Sequence, residues 1–257
     1  MRRFPKKAWQ FMGGVDGSIP SSVPGLQFWF AAWKETAYAD AAEVNSPTDF
    51  SGNGVVMTSP SGVRRPLYKT NIINGQPVFR FDGTNDCWQG TKANFDFLHT
   101  GSNTLFFIVK QSVSSSAYLY DSSNGVSPTN IGRTIRMLGT NGNYVDNGYA
   151  GSTPNDVWAI QSPNGTLPVG DWSIIVNRYT QGNTGDDFEN WIDSEPRITD
   201  QGTLSPSAST STGLPTIGAT SGLGNPLNGD LAEVFAYNRA LTNTEINQLV
   251  GGLSFGL

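Results

Sequence analysis

The feature that most limits the fold of this chain is the alternation of short apolar runs with turn-forming clusters from Pro24 onward. The clusters, such as 51–54 and 141–143, are rich in glycine and asparagine, which tolerate the positive φ angles of tight turns. Apolar runs of this length between such turns are typical of β-strands. We predict strands at residues 26–33, 55–58, 77–81, 104–110, 117–120, 134–138, 157–161, 172–178, 188–192 and 229–237.

The composition also favours an all-β fold. Glycine contributes 30 residues and proline 15, and charged residues make up only 14% of the chain, against about 25% in typical soluble domains. Few surface helices are therefore expected, and 257 residues are enough for one large sandwich. A single cysteine, Cys87, excludes an intrachain disulfide framework, and a single histidine, His99, excludes a histidine-rich metal site.

Positive charge is concentrated at the N-terminus. The chain carries a net charge of −5, but residues 1–15 hold four basic groups and no acid, which leaves −9 on the rest. An acidic body repels phosphate, so we expect no nucleic acid binding. Residues 1–24 also combine three aromatic side chains with glycine and proline, which favours an arm that docks onto a partner. The predicted docking residues are Arg2, Arg3, Phe4, Lys6, Lys7, Trp9 and Phe11.

The N-terminal segment starts with basic residues, as a signal peptide does, but its apolar residues are interrupted. Gly13, Gly14, Asp16 and Gly17 break any run of the required length. No other stretch approaches the ~18 apolar residues of a membrane span. We therefore expect no signal peptide and no membrane insertion, with assembly in the cytoplasm, where a lone cysteine stays reduced.

A single short helix is predicted near the C-terminus, at residues 243–250. Thr242 and Glu245 form a capping box, and Leu241 is placed to pack against Ile246 one turn later. Three apolar residues then share one face of the helix. Two glycines at 251–252 are predicted to end it.

The strand predicted at 229–237 contains an acidic residue among apolar ones. Simple alternation places Leu231, Glu233, Phe235 and Tyr237 on one face and the small residues between them on the other. A buried carboxylate needs a partner because its desolvation is costly. We predict that Arg239 pairs with Glu233.

Two blocks of the sequence resemble a known family. Residues 228–242 (NGDLAEVFAYNRALT), followed by Glu245-Ile246, resemble the closing motif of laminin-G-like, concanavalin A-like jelly rolls. Residues 49–54 (DFSGNG) and 65–83 resemble the opening of the same group. The resemblance implies a concanavalin A-like jelly-roll β-sandwich over residues 25–257, with an extended N-terminal arm at 1–24 and one short C-terminal helix.

The same resemblance raises the question of glycoside hydrolysis, because glucanases share this jelly roll. Those enzymes resemble one another in carrying two glutamates and an aspartate on one strand, spaced E-[IVL]-D-x-x-E or E-[IVL]-D-x-E. Here the nearest match is Trp191-Ile192-Asp193-Ser194-Glu195, in which Trp191 stands in place of the first glutamate. Without that carboxylate the usual pair of catalytic acids is incomplete, so we predict a protein that is not an enzyme.

No cofactor is predicted, but the resemblance leaves a structural calcium ion open. Relatives bind calcium through loop carboxylates and carbonyls. The candidate positions lack a recognisable ligand spacing, so the ligands stay unknown. They are Asp82 with Asp86, Asp146 with Asn147, and Asp186 with Asp187.

Sugar binding requires an aromatic face beside amides or carboxylates that read hydroxyl groups. The segment 139–165 has that composition, with Tyr144, Tyr149 and Trp158 among asparagines and aspartates. The turn containing Asp86 and Trp88 is a second candidate. These five residues are the predicted carbohydrate-binding set.

The resemblance implies two possible functions, the first because relatives with this closing motif are frequent among bacteriophage structural proteins. In the first, the chain is a non-enzymatic surface protein of a bacteriophage virion (capsid decoration, head fibre or tail accessory), displaying a lectin-like domain that binds a cell-surface glycan. Its arm would contact other virion proteins, and a homo-oligomer such as a trimer would multiply the attachment points. In the second, the chain is a bacterial carbohydrate-binding module or glycoside hydrolase domain.

Overall fold

The protein forms two antiparallel β-sheets packed face to face. The computed structural model describes residues 20–123, 132–139, 144–150, 157–162, 167–181, 188–193, 195–199 and 211–253. The strands are β1 Leu26–Ala31, β2 Met57–Thr58, β3 Leu67–Ile73, β4 Gln76–Asp82, β5 Trp88–Gly90, β6 Asn103–Gln111, β7 Ala117–Asp121, β8 Gly132–Leu138, β9 Tyr144–Ala150, β10 Val157–Gln161, β11 Trp172–Tyr179, β12 Phe188–Ile192, β13 Glu195–Thr199, β14 Thr216–Ile217 and β15 Asn228–Tyr237. The α-helices are α1 Phe97–Thr100 and α2 Asn243–Leu253, and 3-10 turns lie at Pro20–Ser22, Ala32–Lys34 and Lys92–Asn94.

The strand order is that of a two-layer sandwich. One sheet has eight strands in the order β13-β12-β11-β6-β15-β4-β3, with β1 paired to β15. The other has seven strands in the order β10-β9-β8-β7-β14-β5-β2. The fold is therefore the all-β jelly-roll sandwich predicted from the sequence.

All ten predicted strands are present, and five more were not predicted: β3, β5, β9, β13 and β14. Two of these five are very short, and β9 lies in the asparagine- and glycine-rich segment predicted to hold a sugar site. Local turn chemistry agrees with the hairpins, since Asn74 and Gly75 both have positive φ between β3 and β4. Asp193 has φ of 59° in the turn between β12 and β13.

The main core fills the space between the two sheets. It contains aromatic residues from both, including Phe28, Phe79, Phe107 and Tyr120. Trp88 lies at its centre, with ring centroids 5.0 Å from Phe79 and 5.2 Å from Phe81.

A second apolar cluster covers the outer face of the eight-stranded sheet. Helix α2 contributes Ile246, Leu249 and Val250 to this cluster, where they join sheet residues such as Phe106 and Phe235. The rings of Phe106 and Phe235 stack at 4.6 Å. The closing motif and α2 contribute to this layer. Among the described residues, the outer face of the seven-stranded sheet has no equivalent helix.

The capping box of α2 is confirmed, but its predicted end is wrong. The Thr242 amide donates to Glu245 Oε2 at 2.8 Å, and the Glu245 amide donates to Thr242 Oγ1 at 3.2 Å. The helix continues through both glycines to Leu253.

The predicted pairing of Glu233 with Arg239 is wrong. Arg239 forms a bidentate ion pair with Glu245, at 2.6 and 3.0 Å. Glu233 is buried and accepts a hydrogen bond from the indole N–H of Trp29 instead. Residue 239 follows the end of β15, so its guanidinium reaches the start of α2 rather than the middle of the sheet.

The predicted alternation along β15 is correct only after residue 232. Leu231 packs in the core between the sheets, together with Val234 and Ala236, while Ala232 lies in the outer cluster with Phe235. A bulge between Leu231 and Glu233 in the pairing with β6 explains the change, because an extra residue reverses the faces of everything before it.

The last residues of the predicted arm belong to the folded body. Val23 is buried in the outer cluster. The Pro20 carbonyl accepts a hydrogen bond from Tyr237 Oη at 2.8 Å, and the Pro24 carbonyl accepts one from Arg239 Nε at 2.8 Å. The predicted docking residues, which all precede residue 12, lie outside the described residues.

Candidate functional site

A row of polar residues crosses the outer face of the seven-stranded sheet. Thr58 pairs with Gln89, Gln89 with Thr216, Thr216 with Asp121, and Asp121 with Thr134. Residues paired across antiparallel strands share a face, and their neighbours, such as Ile217 and Ile135, point into the core. The row therefore places hydroxyl, amide and carboxylate groups on one side of the sheet.

A tyrosine and an arginine lie beside this row. Tyr118 of β7 pairs with Arg136 of β8, and both side chains are half-buried. The guanidinium carbon lies 5.9 Å from the centre of the tyrosine ring, and Arg136 Nη1 donates to Tyr118 Oη at 3.4 Å. The contact holds the two side chains together at the surface of the sheet.

The turn 220–225 crosses the same face. The Ser221 amide donates to Asp121 Oδ2 at 2.7 Å, and Gln89 Nε2 donates to the Ser221 carbonyl at 3.1 Å. Within the turn, the Leu223 amide donates to the Thr220 carbonyl at 2.8 Å. The turn thus covers the middle of the polar row and separates its two ends.

Two residues of this turn have left-handed backbone conformations. Leu223 has φ of 68° and Asn225 has φ of 46°. Such angles are costly for a branched side chain and easier for asparagine. The Tyr118 amide donates to the Asn225 carbonyl at 3.3 Å, so the exposed Asn225 lies directly beside Tyr118.

Asp121 fastens the turn to the sheet. Burial raises the pKa of its carboxyl group, while hydrogen bonds from the Ser221 and Ser123 backbone amides act in the opposite direction. The amide of Ser123 donates to Oδ1 at 3.0 Å. The carboxylate is 1% exposed, so it orders the turn rather than contacting a ligand.

We call the group formed by the half-buried Tyr118, Thr134 and Arg136 and the exposed Asn225 the Tyr118 face. An aromatic ring can stack on the apolar side of a sugar ring, while a guanidinium, an amide and a hydroxyl read its oxygen atoms. Sequence analysis did not identify these four residues. The available signal was the alternation in 117–121 and 134–138, which separates Tyr118 and Arg136 from their apolar neighbours.

Trp88 and Asp86 do not form the predicted sugar site. Trp88 is fully buried and its indole N–H donates to the Val44 carbonyl at 3.0 Å, so neither face of the ring is open to a sugar. Asp86 is 5% exposed and accepts a hydrogen bond from the Asp82 amide at 2.9 Å. Burial raises the pKa of Asp86 to about 6. Asp86 stabilises the turn before β5, and Trp88 packs in the core.

The other three predicted sugar-binding residues lie on strands. Tyr144 and Tyr149 belong to β9 and Trp158 to β10. The backbone of Tyr149 pairs with Trp158 on one side and with Arg133 on the other, whereas that of Tyr144 pairs with Leu138. Their side chains lie outside the described residues.

The described acidic residues do not build a calcium site by themselves. In the parts of the chain listed above, no three His, Cys, Asp or Glu side chains converge. The Oδ1 atom of Asp82 accepts hydrogen bonds from the Thr84 and Asn85 amides, at 2.7 and 3.2 Å. The side chain of Asp146 and both residues of the pair 186–187 lie outside the described residues.

The segment that resembles the glucanase motif has structural roles. Trp191 is 3% exposed and lies under the Arg178 guanidinium, 4.7 Å from ring centre to guanidinium carbon. Arg178 also pairs with Glu189. The Asp193 carboxylate accepts a hydrogen bond from the Ile174 amide at 2.9 Å, and Glu195 begins the edge strand β13.

His99 has a neighbour that sequence analysis did not identify. Its Nε2 atom lies 2.8 Å from Ser122 Oγ. Both residues are buried, and burial, with the nearby charges of Arg133 and Lys92, lowers the pKa of His99 to about 3. The Ser122 hydroxyl also donates to the Arg133 carbonyl at 3.3 Å. This neutral, inaccessible pair stabilises the interior of the sandwich.

Comparison with known proteins agrees with the architecture. A family model described as the concanavalin A-like lectin/glucanases superfamily, of laminin-G type, matches residues 82–247. The chain belongs to this superfamily. A comparison with curated proteins finds no match.

Among the described residues, no helix has the length and apolarity needed to cross a membrane.

Solved structures share the fold at low sequence identity. The Ruminococcus gnavus IT-sialidase CBM40 bound to α2,3-sialyllactose is 13% identical, with a TM-score of 0.54 over 74% of this chain and 98% of that one. The binding domain of botulinum neurotoxin DC in complex with SialylT is 14% identical, with a TM-score of 0.61 over 93% and 53%. Trypanosoma rangeli sialidase in complex with sialic acid is 14% identical, with a TM-score of 0.56 over 89% and 33%.

Proposed function

We propose that this chain is a non-enzymatic carbohydrate-binding protein that binds a glycan at the Tyr118 face. The observation that carries the proposal is the contact between Tyr118 and Arg136 on the polar side of the seven-stranded sheet. Beside them, the exposed Asn225 is held in a left-handed conformation by an ordered turn. The site is therefore largely formed before a ligand arrives, which reduces the entropy cost of binding.

The hydrogen bonds that the buried carboxylates accept within the sandwich support a binding role without catalysis. In the described part of the chain, the buried carboxylates are those of Glu35, Asp86, Asp121, Asp230 and Glu233. Each accepts a hydrogen bond from a backbone amide or a side chain of the sandwich itself. A retaining glycosidase needs two carboxyl groups about 5 Å apart that are free to face the substrate.

The solved relatives guide the choice of probe. Those with this fold include complexes with α2,3-sialyllactose, sialic acid and SialylT. An arginine is suited to a carboxylate-bearing sugar because its guanidinium forms paired, charge-assisted hydrogen bonds. Sialyllactose and lactose are therefore the first probes to compare, followed by a glycan array.

The proposal predicts that glycan affinity depends on the Tyr118 face. Tyr118→Ala and Arg136→Gln should each weaken binding at least about tenfold, the loss expected from one stacking or charge-assisted contact of ~1.4 kcal/mol. Arg65→Gln is the matched control, since Arg65 precedes β3 of the other sheet and its guanidinium pairs at the surface with Glu43, at 3.2 Å. Calorimetric titration of each variant measures the effect.

Equal affinities for wild type, Tyr118→Ala and Arg136→Gln would exclude the Tyr118 face as the site. Loss of binding in Arg65→Gln alone would place the site near Arg65 rather than at the Tyr118 face. Thermal unfolding of all three variants distinguishes these outcomes from loss of fold.

We also propose that the protein is displayed on a bacteriophage virion, assembled in the host cytoplasm and attached through residues 1–24. The contrast between four basic groups in residues 1–15 and the acidic remainder supports an arm that binds an acidic partner surface. Deletion of residues 2–17 spares Pro20 and Val23, which pack on the body. The truncated protein should fold but fail to join particles, and incorporation at wild-type occupancy would refute attachment through the arm.

The alternative is a carbohydrate-binding module or hydrolase domain of a bacterial enzyme. It predicts cleavage of a glycan that depends on an acid of the segment 191–195. We expect no hydrolysis of β-glucans by the wild-type protein. Hydrolysis that disappears in Glu195→Gln, but persists in the control Glu43→Gln, would favour the alternative.

A further inference from the structure

Three aromatic rings on the eight-stranded sheet surround one ammonium group. The Lys34 Nζ atom lies 4.5 Å from the ring centre of Trp29 and 5.2 Å from those of Trp33 and Phe50. The rings of Trp33 and Phe50 stand at steep angles to Trp29, 61° and 72°, with centroids 6.1 and 6.3 Å away. A cation at this distance from several ring faces is attracted by each of them.

The base of this arrangement is acidic. Glu233 is 1% exposed, and its Oε1 atom accepts a hydrogen bond from the Trp29 indole. Its Oε2 atom and the Trp33 indole N–H are buried as well, and the indole interacts with the carboxylate. Desolvation still makes a buried carboxylate costly, and a positive charge above the rings offsets part of that cost.

The upper part of the arrangement is accessible. Trp33, Lys34 and Phe50 are half-buried, whereas Trp29 and Glu233 are enclosed. The 3-10 turn Ala32–Lys34 carries two of these residues and makes no side-chain cap hydrogen bond. The lysine occupies the space from outside, on a flexible side chain that can leave without moving the rings.

We infer that Trp29, Trp33, Phe50 and Glu233 form an aromatic cage for an organic ammonium ion, which Lys34 occupies when no ligand is bound. The ligand class is a quaternary or methylated ammonium group, because such ions combine positive charge with an apolar surface that fits between aromatic rings. This site lies on a different sheet from the Tyr118 face. The test of ammonium binding at this cage is therefore independent of the test of glycan binding at the Tyr118 face.

Choline and its neutral isostere 3,3-dimethyl-1-butanol test the inference. They have nearly the same shape, but only choline carries a charge. In Lys34→Met the lysine no longer competes, so choline should bind about tenfold more tightly than it binds the wild-type protein, and the isostere about tenfold more weakly than choline. Tryptophan fluorescence and the NMR signal of the Trp33 indole N–H measure both affinities.

Two further variants test whether choline binds at the cage itself. Trp33→Leu, introduced into Lys34→Met, removes one wall and should abolish choline binding. Phe97→Leu changes another half-buried aromatic residue, one packed against the inner core, and should leave binding unchanged. Thermal unfolding checks that each variant is folded.

Equal affinity for choline and the isostere, or choline binding that survives Trp33→Leu, would overturn the inference. So would the absence of binding in both the wild-type protein and a folded Lys34→Met. In the wild-type protein, choline must also shift the NMR signals of the Lys34 side chain, and their invariance during binding would show that Lys34 does not occupy the same space.

Discussion

The two outer faces of the sandwich differ in what covers them. The eight-stranded sheet carries a second apolar layer, with Phe106 and Phe235 buried under α2. The seven-stranded sheet carries polar residues, and the turn 220–225 crosses it through hydrogen bonds to Asp121 and Gln89. One outer face is therefore largely covered by a second apolar layer, and the other carries the polar groups of the proposed Tyr118 face.

The comparison shows that the two outer faces of one jelly roll can be built differently, one apolar and covered, the other polar. Both sheets contribute residues to the core between them, so either could in principle carry a site on its outer face. The closing motif and α2 commit the eight-stranded sheet to packing over most of its area. The seven-stranded sheet is left to display the Tyr118 face.

The strongest test of this comparison is Phe235→Ala on the covered face. It removes a fully buried ring stacked on Phe106 at 4.6 Å. We expect a loss of about 3–5 kcal/mol in the free energy of unfolding, as for other buried aromatic residues. Urea denaturation measures it, and a loss below about 1 kcal/mol would mean that the outer layer is not a second core.

Glu233→Gln sharpens the comparison through its pH dependence. Burial raises the pKa of Glu233 to about 7 from 4.5, although the nearby indoles and Lys34 oppose the shift. Since the folded pKa is the higher one, ionisation destabilises the fold as pH rises from about 4.5 to 7, on the order of 3 kcal/mol in total. Over this interval the wild-type protein should therefore lose stability relative to the glutamine variant, which has no carboxyl group to ionise at this position.

The pH test depends on the difference in unfolding free energy between the wild-type protein and Glu233→Gln. The raised pKa of Asp86, about 6, acts in the same direction and the lowered pKa of His99, about 3, acts in the opposite direction, so wild-type data alone do not isolate Glu233. Unfolding free energies of both proteins at pH 5 and pH 8 give the required difference. A difference that is the same at both pH values would contradict the raised pKa of Glu233.

Thr242→Ala tests how firmly α2 holds the covering layer. The hydroxyl accepts a hydrogen bond from the Glu245 amide at the start of the helix. Its loss should lower the unfolding free energy by about 1 kcal/mol without changing glycan affinity. Thr242→Ser is the matched control and should retain most of the stability, and equal midpoints for alanine and serine variants would exclude Thr242 as the cap.

The smallest effect on stability is expected for Tyr118→Ala on the open face. This side chain is half-buried and contacts Arg136 at the surface. Its removal should change the unfolding free energy by less than about 1 kcal/mol, even though it weakens glycan binding. A stability loss similar to that of Phe235→Ala would show that Tyr118 is a core residue, and the contrast between the two faces would fail.

The sequence alone was sufficient for the fold class, ten of the fifteen described strands and the cap of α2. These features depend on neighbours within a few residues, such as the period-two alternation in 104–110 and the spacing of Thr242 and Glu245. The short strands β5 and β14 were not predicted because two or three residues contain no measurable period. Their pairing with longer strands, such as that of Ile217 with Trp88, stabilises them.

Tertiary structure decided which residues are exposed and which pair. Trp88 and Tyr118 both lie in short apolar runs, but the first fills the core and the second lies on the outer face of the sheet. The partner of Glu233 proved to be Trp29, which lies 204 positions earlier in the chain. Local sequence specifies how the side chains of a strand alternate between its two faces. The bulge in β15 and the pairing of β1 with β15 determine which distant residues meet. Those contacts form only when the strands assemble into the two packed sheets, so the local sequence does not reveal them.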